Sequence, residues 1–139
     1  MRPRAETVEH VGEWKVALTA DSLEELFGEA ARVIARAVGP TGAPPGAWER
    51  VALAARDLPT LLVDWTNELL GRSEANARAY AEVRNVRIRV RPDGAAEVSA
   101  MVRGSPVEEW QSPIKAATYH APTVTRDDGR WRATLLLDV

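Results

Sequence analysis

Cysteine is absent from this 139-residue sequence, and so is any long apolar run. Without thiols the chain can form no disulfide, no thiolate zinc site and no cysteine nucleophile, which fits a reducing compartment. No stretch approaches the roughly 20 apolar residues of a membrane-spanning helix, and residues 1–6 lack the apolar core of a signal peptide. These absences predict a cytoplasmic protein without a membrane partner.

An excess of charge of one sign is also missing, because 18 lysines and arginines oppose 20 aspartates and glutamates and leave a net charge of −2. Proteins dedicated to nucleic acids gain affinity by releasing phosphate counterions with surplus cationic side chains. The composition therefore predicts that the chain binds RNA weakly or not at all. Lysine is scarce: Lys15 and Lys115 are the two lysines, and the other cationic side chains are arginines.

Catalytic motifs are missing too. The sequence contains no glycine-rich phosphate loop, no paired zinc-binding motif and no nucleophile elbow. Two histidines, His10 and His120, leave few groups for acid–base or nucleophilic chemistry. The sequence thus favours a protein that is not an enzyme with its own catalytic cycle.

Two amphipathic helices are indicated. Residues 22–25 form a capping box, and an apolar stripe follows it as far as Gly39-Pro40, which ends the helix. Asp57-Leu58-Pro59 has the features of a second helix start, and its apolar stripe predicts a helix up to Gly71.

Alternation of apolar and polar residues predicts about six strands. Turn-forming clusters between several of them favour antiparallel pairing. Together with the two helices and a hydrophobic content of 45%, they predict a single α+β domain over residues 1–139, with the helices packed on a mostly antiparallel sheet. The predicted strands are 8–19, interrupted near Gly12, then 48–55, 86–90, 96–102, 114–124 and 131–139.

The end of the sequence, Leu137-Asp138-Val139, is the most informative local feature. Leu136 shares a strand face with Asp138, so both faces are expected to be partly covered and Asp138 to lie near buried surface. A free carboxylate on Val139 would place a second anion beside Asp138. A divalent ion, or in part Lys115, would relieve their repulsion. The alternatives are a frayed, hydrated terminus and a Lys115 that merely snorkels from an apolar strand.

Other polar groups are open to two interpretations each. His10 and Glu13, three residues apart around Gly12, are either metal ligands or a surface hydrogen-bonding pair. The polar side of the second helix is expected to be solvated; it carries Asp64, Asn67 and Glu68. A row of arginines either contacts phosphates or lines one solvated strand face; it consists of Arg84, Arg87, Arg89 and Arg91.

Three stretches taken together resemble the archease family: residues 22–27 with Ala30-Ala31, residues 61–70, and residues 114–120 with the final Leu137-Asp138-Val139. The resemblance implies an accessory protein that binds an RtcB-type RNA ligase and promotes its guanylylation and multiple turnover in tRNA splicing or RNA repair. The alternative role is that of a general chaperone or modulator of nucleic-acid-processing enzymes. A metal-dependent hydrolase using Asp138 and Glu13 has less support, because no pair of nucleophile and base stands out.

The resemblance also implies a divalent metal site made by an aspartate of the N-terminal strand, the penultimate aspartate and the last residue, with a lysine nearby. Asp138, Val139 and Lys115 match these positions. Glu13 stands where the family has its N-terminal aspartate, and its longer side chain changes the reach of the carboxylate. Ser112-Pro113 also departs from the acidic residue common in the family. Hard oxygen ligands predict Ca²⁺ or Mg²⁺.

Overall fold

Ten elements follow one another in the computed structural model, which describes residues 2–139; Met1, the first residue of the predicted domain and N-terminal segment, lies outside the described residues. All strand pairings among residues 2–139 are antiparallel. The predicted α+β class is confirmed, with eight strands where about six were expected. In chain order the elements are β1 (Arg4–His10), β2 (Glu13–Ala20), α1 (Leu23–Val38), β3 (Glu49–Ala55), α2 (Leu58–Asn76), β4 (Arg78–Val90), β5 (Ala96–Pro106), β6 (Ala116–Ala117), β7 (Thr123–Asp127) and β8 (Arg130–Asp138).

The strands form two sheets. The five-stranded sheet has the order β1-β2-β8-β6, and β7 also pairs with β8. The three-stranded sheet has the order β3-β5-β4. Strand β8 therefore has β2 along one edge and both β6 and β7 along the other. The strand that carries Asp138 is thus central in its sheet.

Both helices begin at the predicted caps. The backbone N–H of Glu25 donates to the Ser22 hydroxyl at 3.1 Å, and that of Thr60 donates to the Asp57 carboxylate at 2.8 Å. Each bond satisfies one of the free amides in a first helical turn. Helix α1 ends at Gly39, whose φ of 144° disfavours any residue with a Cβ.

The helices join the two sheets through one core. Helix α1 contacts β1, β2 and β8 of the five-stranded sheet and β4 of the other, whereas α2 contacts all three strands of the small sheet as well as β6 and β7. Trp65 of α2 is completely buried; its ring lies 5.8 Å from that of Phe27 in α1 and its N–H donates to the Phe27 carbonyl at 2.9 Å. The outer faces of both sheets are thereby left to solvent.

Several predicted boundaries differ from the structure. The interruption near Gly12 is confirmed, and because Gly12 at φ 82° turns the chain, the segment 8–19 belongs to a hairpin of β1 and β2. Helix α2 continues past Gly71 to Asn76, where Ala77 adopts the left-handed conformation. The polar stretch after Gly71 is thus helix and early β4, since Ser73 is buried with its hydroxyl bonded to the Leu69 carbonyl.

The predicted strand 114–124 is also wrong. It divides into the two-residue β6 and the separate β7, and Ala121 between them has a φ of 49°. Ile114 and Ala117 are both buried although they are three residues apart, which continuous strand alternation does not allow.

Neither helix of residues 2–139 combines the length and the apolar character needed to cross a membrane.

Candidate functional site

The two predicted acidic ligands lie directly opposite each other. In the antiparallel pair of β2 and β8, Glu13 is the partner of Asp138, and Trp14 is the partner of the buried Leu137. Residues directly opposite in such a pair project from the same face with Cβ atoms about 4.5–5.5 Å apart. Glu13 and Asp138 therefore share the outer face of the five-stranded sheet, away from the helices.

Two further segments meet this pair at the sheet end. The backbone N–H of Val139 donates to the Gly12 carbonyl at 3.2 Å, which holds the last residue against the turn between β1 and β2. The backbone N–H of Lys115 donates to the Asp138 carbonyl at 2.7 Å, and Ala116 pairs with Asp138 across β6 and β8. All four predicted site residues thus come from adjoining stretches of main chain.

The side chains of Glu13, Lys115 and Asp138 are exposed. Asp138 therefore lies less close to buried surface than expected, although Leu136 on its face is half-buried. Within residues 2–139, neither carboxylate makes a hydrogen bond or ion pair through its side chain, and Lys115 forms no ion pair with them. Two like charges directly opposite on paired strands repel. The pair is therefore a locally unbalanced anionic site that a cation would stabilise.

His10 extends the same cross-strand row, because it is the partner of Glu13 in the hairpin of β1 and β2. No hydrogen bond joins the two side chains in the described part of the chain, so they are not the predicted surface hydrogen-bonding pair. No group of three His, Cys, Asp or Glu side chains within residues 2–139 is arranged to hold a metal ion. An ion at Glu13 and Asp138 would need further oxygens from the main chain, water or a partner.

The polar side of α2 is not the solvated face that was predicted. The Asn67 side chain donates to the Ala117 carbonyl at 3.0 Å and accepts from the Ala117 N–H at 2.7 Å. The Tyr119 hydroxyl donates to Asp64 at 2.5 Å, and this bond raises the pKa of Tyr119 above its ordinary value of 10.0. Glu68 pairs with Arg72 at 2.7 Å. Asp64 and Asn67 therefore fasten the segment after Lys115 to the helix.

Sequence reasoning about Lys115 missed the other lysine. Lys15 lies two residues from Glu13 along β2 and opposite Leu136, so it is on the same outer face as Glu13 and Asp138. It is exposed, like both carboxylates. Along β2, Glu13, Lys15 and Ala17 alternate with Trp14, Val16 and Leu18, and this alternation places Lys15 on the same face as Glu13. Its position beside Asp138 follows only from the pairing of β2 with β8.

The profile of the Archease protein family (MTH1598/TM1083) matches residues 6–139. Proteins named archease from Methanosarcina mazei and Methanopyrus kandleri are 29% and 28% identical to the chain; each match covers 96% of this chain, and 94% and 98% of the respective relatives.

Solved structures share the fold. The solution structure of Methanobacterium thermoautotrophicum protein 1598 has a TM-score of 0.75 and 21% identity, covering 97% of this chain and 98% of that one. The crystal structure of an archease, described as a possible chaperone, from Thermotoga maritima has a TM-score of 0.62 and 18% identity, covering 96% of each chain. Since the family profile spans nearly all of the sequence, the chain belongs to the archease family.

Proposed function

We propose that this protein is a cytoplasmic, non-catalytic accessory protein that activates an RtcB-type RNA ligase through a divalent metal site at Glu13, Asp138 and Val139. In this proposal it promotes guanylylation and multiple turnover of the ligase in tRNA splicing or RNA repair. The observation that supports it is the cross-strand pairing of Glu13 with Asp138, two exposed carboxylates without a cationic partner in the described residues.

The donor set fits a hard cation. Carboxylate oxygens are the ligands that Ca²⁺ and Mg²⁺ prefer, and the absence of cysteine removes any thiolate ligand. When bound, the ion supplies positive charge that neutralises the pair and attracts phosphate oxygens. Because Glu13 and Asp138 are exposed, the remaining coordination positions would face solvent or a partner. Those open positions suit an ion that is shared with, or handed to, a phosphate-containing site.

Lys115 is the second functional group in this proposal. Its backbone is held by Asp138, while its exposed side chain has no acidic partner among residues 2–139. The ammonium group is therefore available to an anionic group on the partner, such as a nucleotide phosphate. Asn67, through Ala117, would fix the position of this segment.

The adjoining hairpin turn suits contact with a protein. Val11, next to Gly12, is fully exposed at 106% of its reference area, and Val8 in the same hairpin is 53% exposed. Apolar side chains that protrude beside a charged site are typical anchors of an interface, which buries them on binding. We therefore place the ligase contact at the β1–β2 turn.

Isothermal titration calorimetry with CaCl₂ and MgCl₂ tests the metal site. Asp138→Asn keeps the size of the side chain and removes its charge, so we expect at least a roughly 10-fold loss of affinity for the preferred ion. Asp127→Asn, an exposed carboxylate of the same sheet that already pairs with Arg132, is the matched control and should bind as the wild type does.

Single-turnover guanylylation of an RtcB-type ligase tests the function. The wild-type protein should accelerate guanylylation, while Asp138→Asn and Lys115→Ala should lose most of the acceleration and Asp127→Asn should keep it. Val11→Asp should weaken the ligase contact without changing metal affinity. If wild type and Asp138→Asn accelerate equally, the metal site has no role in activation.

A general chaperone of nucleic-acid-processing enzymes is the second candidate, favoured by the description of the Thermotoga maritima relative as a possible chaperone. It predicts protection of unrelated enzymes from thermal aggregation, with Asp138→Asn as effective as the wild type. Specific acceleration of the ligase without such protection would exclude it.

A further inference from the structure

The outer face of the three-stranded sheet carries a concentration of arginines that the metal site does not use. In cross-strand order, Arg50 of β3, Met101 of β5 and Arg84 of β4 form one row. Ala52, Ser99 and Arg87 form the next, followed by Ala54, Glu97 and Arg89. We name this surface the arginine face; its arginines are Arg50, Arg84, Arg87, Arg89 and Arg103.

A β-bulge places two of these arginines together. Arg84 pairs with Met101 and Arg87 pairs with Ser99. The chain therefore advances by three residues on β4 where it advances by two on β5. Asn85 at the bulge has a φ of 54°. Without the extra residue, strand alternation would turn Arg87 to the core side, where Val86 and Ile88 now pack. The bulge thus brings Arg84 and Arg87 to the same outer face.

Acidic side chains neutralise only part of this surface. Glu97 pairs with Arg91 at 3.4 Å and with Arg89 at 3.7 Å, and Glu82 pairs with Arg103 at 2.9 Å. Within residues 2–139, the exposed side chains of Arg50 and Arg87 have no hydrogen-bond or ion-pair partner. Arg84 has no acidic partner there either and is stacked 4.1 Å from the centre of the Trp48 ring, which restricts its motion. A net positive surface remains on a chain whose total charge is −2.

The shape of the arginine face suits an extended polyanion. Small side chains, Ala52 and Ala54 of β3 and Ser99 of β5, form the floor of an open trough, which Arg50 borders at one end of β3 and which Arg87 and Arg89 border along β4. The arginine face extends about 20 Å along β5, from Glu97 to Arg103, and the trough occupies the part around Glu97 and Ser99. The guanidinium groups on its walls can each bind a phosphate with two parallel hydrogen bonds.

The chemistry of the face favours RNA over an acidic protein segment. Stable protein interfaces are centred on buried apolar or aromatic anchors. The large apolar residues that residues 2–139 leave exposed are Val8, Val11, Val90, Trp110 and Tyr119, and none of them lines the trough. The half-buried Trp48 beside this face is already in contact with the guanidinium groups of Arg84 and Arg103. Contacts with a phosphodiester backbone need no such anchor, only positioned cations.

We propose that the arginine face binds the phosphodiester backbone of single-stranded RNA, without reading its sequence. This goes beyond the proposed ligase activation and does not depend on the metal site. Binding of this kind is weak at physiological salt, with a Kd of about 10⁻⁴–10⁻⁶ M, and falls steeply as salt rises. Net charge predicts that the chain binds RNA weakly or not at all, and three unpaired arginines offer few phosphate contacts.

Fluorescence anisotropy with a fluorescein-labelled oligouridylate of about 15 nucleotides, titrated with the full chain in EDTA at several salt concentrations, tests the proposal. The slope of the logarithm of the binding constant against the logarithm of the salt concentration should fall in magnitude by about 0.7 for each phosphate contact removed. The double variant R50E/R87E should therefore bind at least ~10-fold more weakly and lower the slope by about 1.4, while R87Q should lower it by about 0.7. Both variants change exposed side chains, so their thermal unfolding, followed by circular dichroism, should match that of the wild type.

The matched control is R4E/R132E, which makes the same change in net charge on the five-stranded sheet. It should bind RNA as the wild type does. The proposal is overturned if the wild type does not bind, if the control loses as much affinity as R50E/R87E, or if polyglutamate of equal charge displaces the RNA as well as unlabelled oligouridylate does. Because EDTA is present and no ligase is used, failure here leaves the proposed metal site and ligase activation untouched.

Discussion

The outer faces of the two sheets differ in the sign of their uncompensated charge. At one end of the five-stranded sheet, Glu13 and Asp138 face each other without a cationic partner in the described residues, whereas Arg50 and Arg87 on the three-stranded sheet have no acidic partner there. The net charge of −2 averages these two surfaces and conceals both. Like charges directly opposite on paired strands repel, and the two proposals give each surface a ligand of opposite charge.

Both helices contact strands of both sheets, so we expect the two sheets to unfold together. Trp65 makes that connection, since α2 contacts strands of both sheets and the ring is completely buried. Trp65→Ala should lower the free energy of unfolding by about 3–5 kcal/mol, because it leaves a large cavity and removes the hydrogen bond from the indole N–H to the Phe27 carbonyl. Urea unfolding with amide exchange on both sheets measures this.

A matched tryptophan gives the control. Trp110 is 41% exposed, and Trp110→Ala should change stability by less than about 0.5 kcal/mol. If Trp65→Ala removes exchange protection from one sheet only, the sheets unfold separately and the single-body premise fails.

A change at Asn67 should affect only one of the two outer faces, that of the five-stranded sheet. Asn67→Ala removes both hydrogen bonds to the buried backbone of Ala117, which should cost about 1–3 kcal/mol. We expect faster amide exchange at Ala117 and weaker metal binding at Asp138, with RNA binding at the arginine face unchanged. Glu74→Ala, an exposed site on the same helix, should alter none of these. If Asn67→Ala weakens metal binding and RNA binding equally, the two faces are coupled.

Elements that depend on neighbouring residues could be predicted from the sequence, whereas contacts between distant residues could not. Local rules predicted both helices, their caps at Ser22 and Asp57 and the hairpin between β4 and β5, because each depends on neighbouring residues. The bonds from Asn67 to Ala117 join residues 50 positions apart, and nothing local distinguishes such an asparagine from a solvated one. The bulge at Asn85 likewise depends on the register with β5.

The candidate site was predictable only by family resemblance. Glu13 and Asp138 are 125 positions apart along the chain, and no periodicity relates two strands at opposite ends of a sequence. Resemblance to archeases suggested the pairing, whereas composition and alternation left Asp138 open to interpretation as a hydrated terminal residue. Lys15 was overlooked for the same reason, since its place beside Glu13 and Asp138 requires the register of β2 with β8.

Asp57 shows what a carboxylate contributes when it does have partners. Hydrogen bonds from Thr60, followed by the nearby charge of Arg56, hold the pKa of Asp57 below its ordinary value of 3.8. Asp57→Ala should therefore cost about 1 kcal/mol at neutral pH through loss of the α2 cap. The ionised form is favoured by folding, so this contribution is complete above pH 3.8 and is lost as the pH falls through the lowered pKa of the folded state.

Thermal unfolding of wild type and Asp57→Ala between neutral pH and pH 2 measures that dependence; the difference in stability should shrink as the pH falls below ~4. Asp57→Asn, which retains an oxygen acceptor for the Thr60 amide, should lose less stability at neutral pH. A difference that stays constant over the whole range would mean that the charge of Asp57 contributes nothing.

Glu13 should behave in the reverse manner, because its neighbour across the strands is another anion. Removing that charge in Glu13→Gln should stabilise the metal-free protein slightly, by ~0.2–1 kcal/mol, as expected for relief of a like-charge cross-strand pair. With saturating Ca²⁺ or Mg²⁺ the sign should reverse, since the wild type then gains binding free energy that the variant lacks. Thermal unfolding in EDTA and in each metal measures both states. Arg87→Gln on the other sheet should show no dependence on metal, so a reversal there as well would mean that the ion acts by general screening rather than at Glu13 and Asp138.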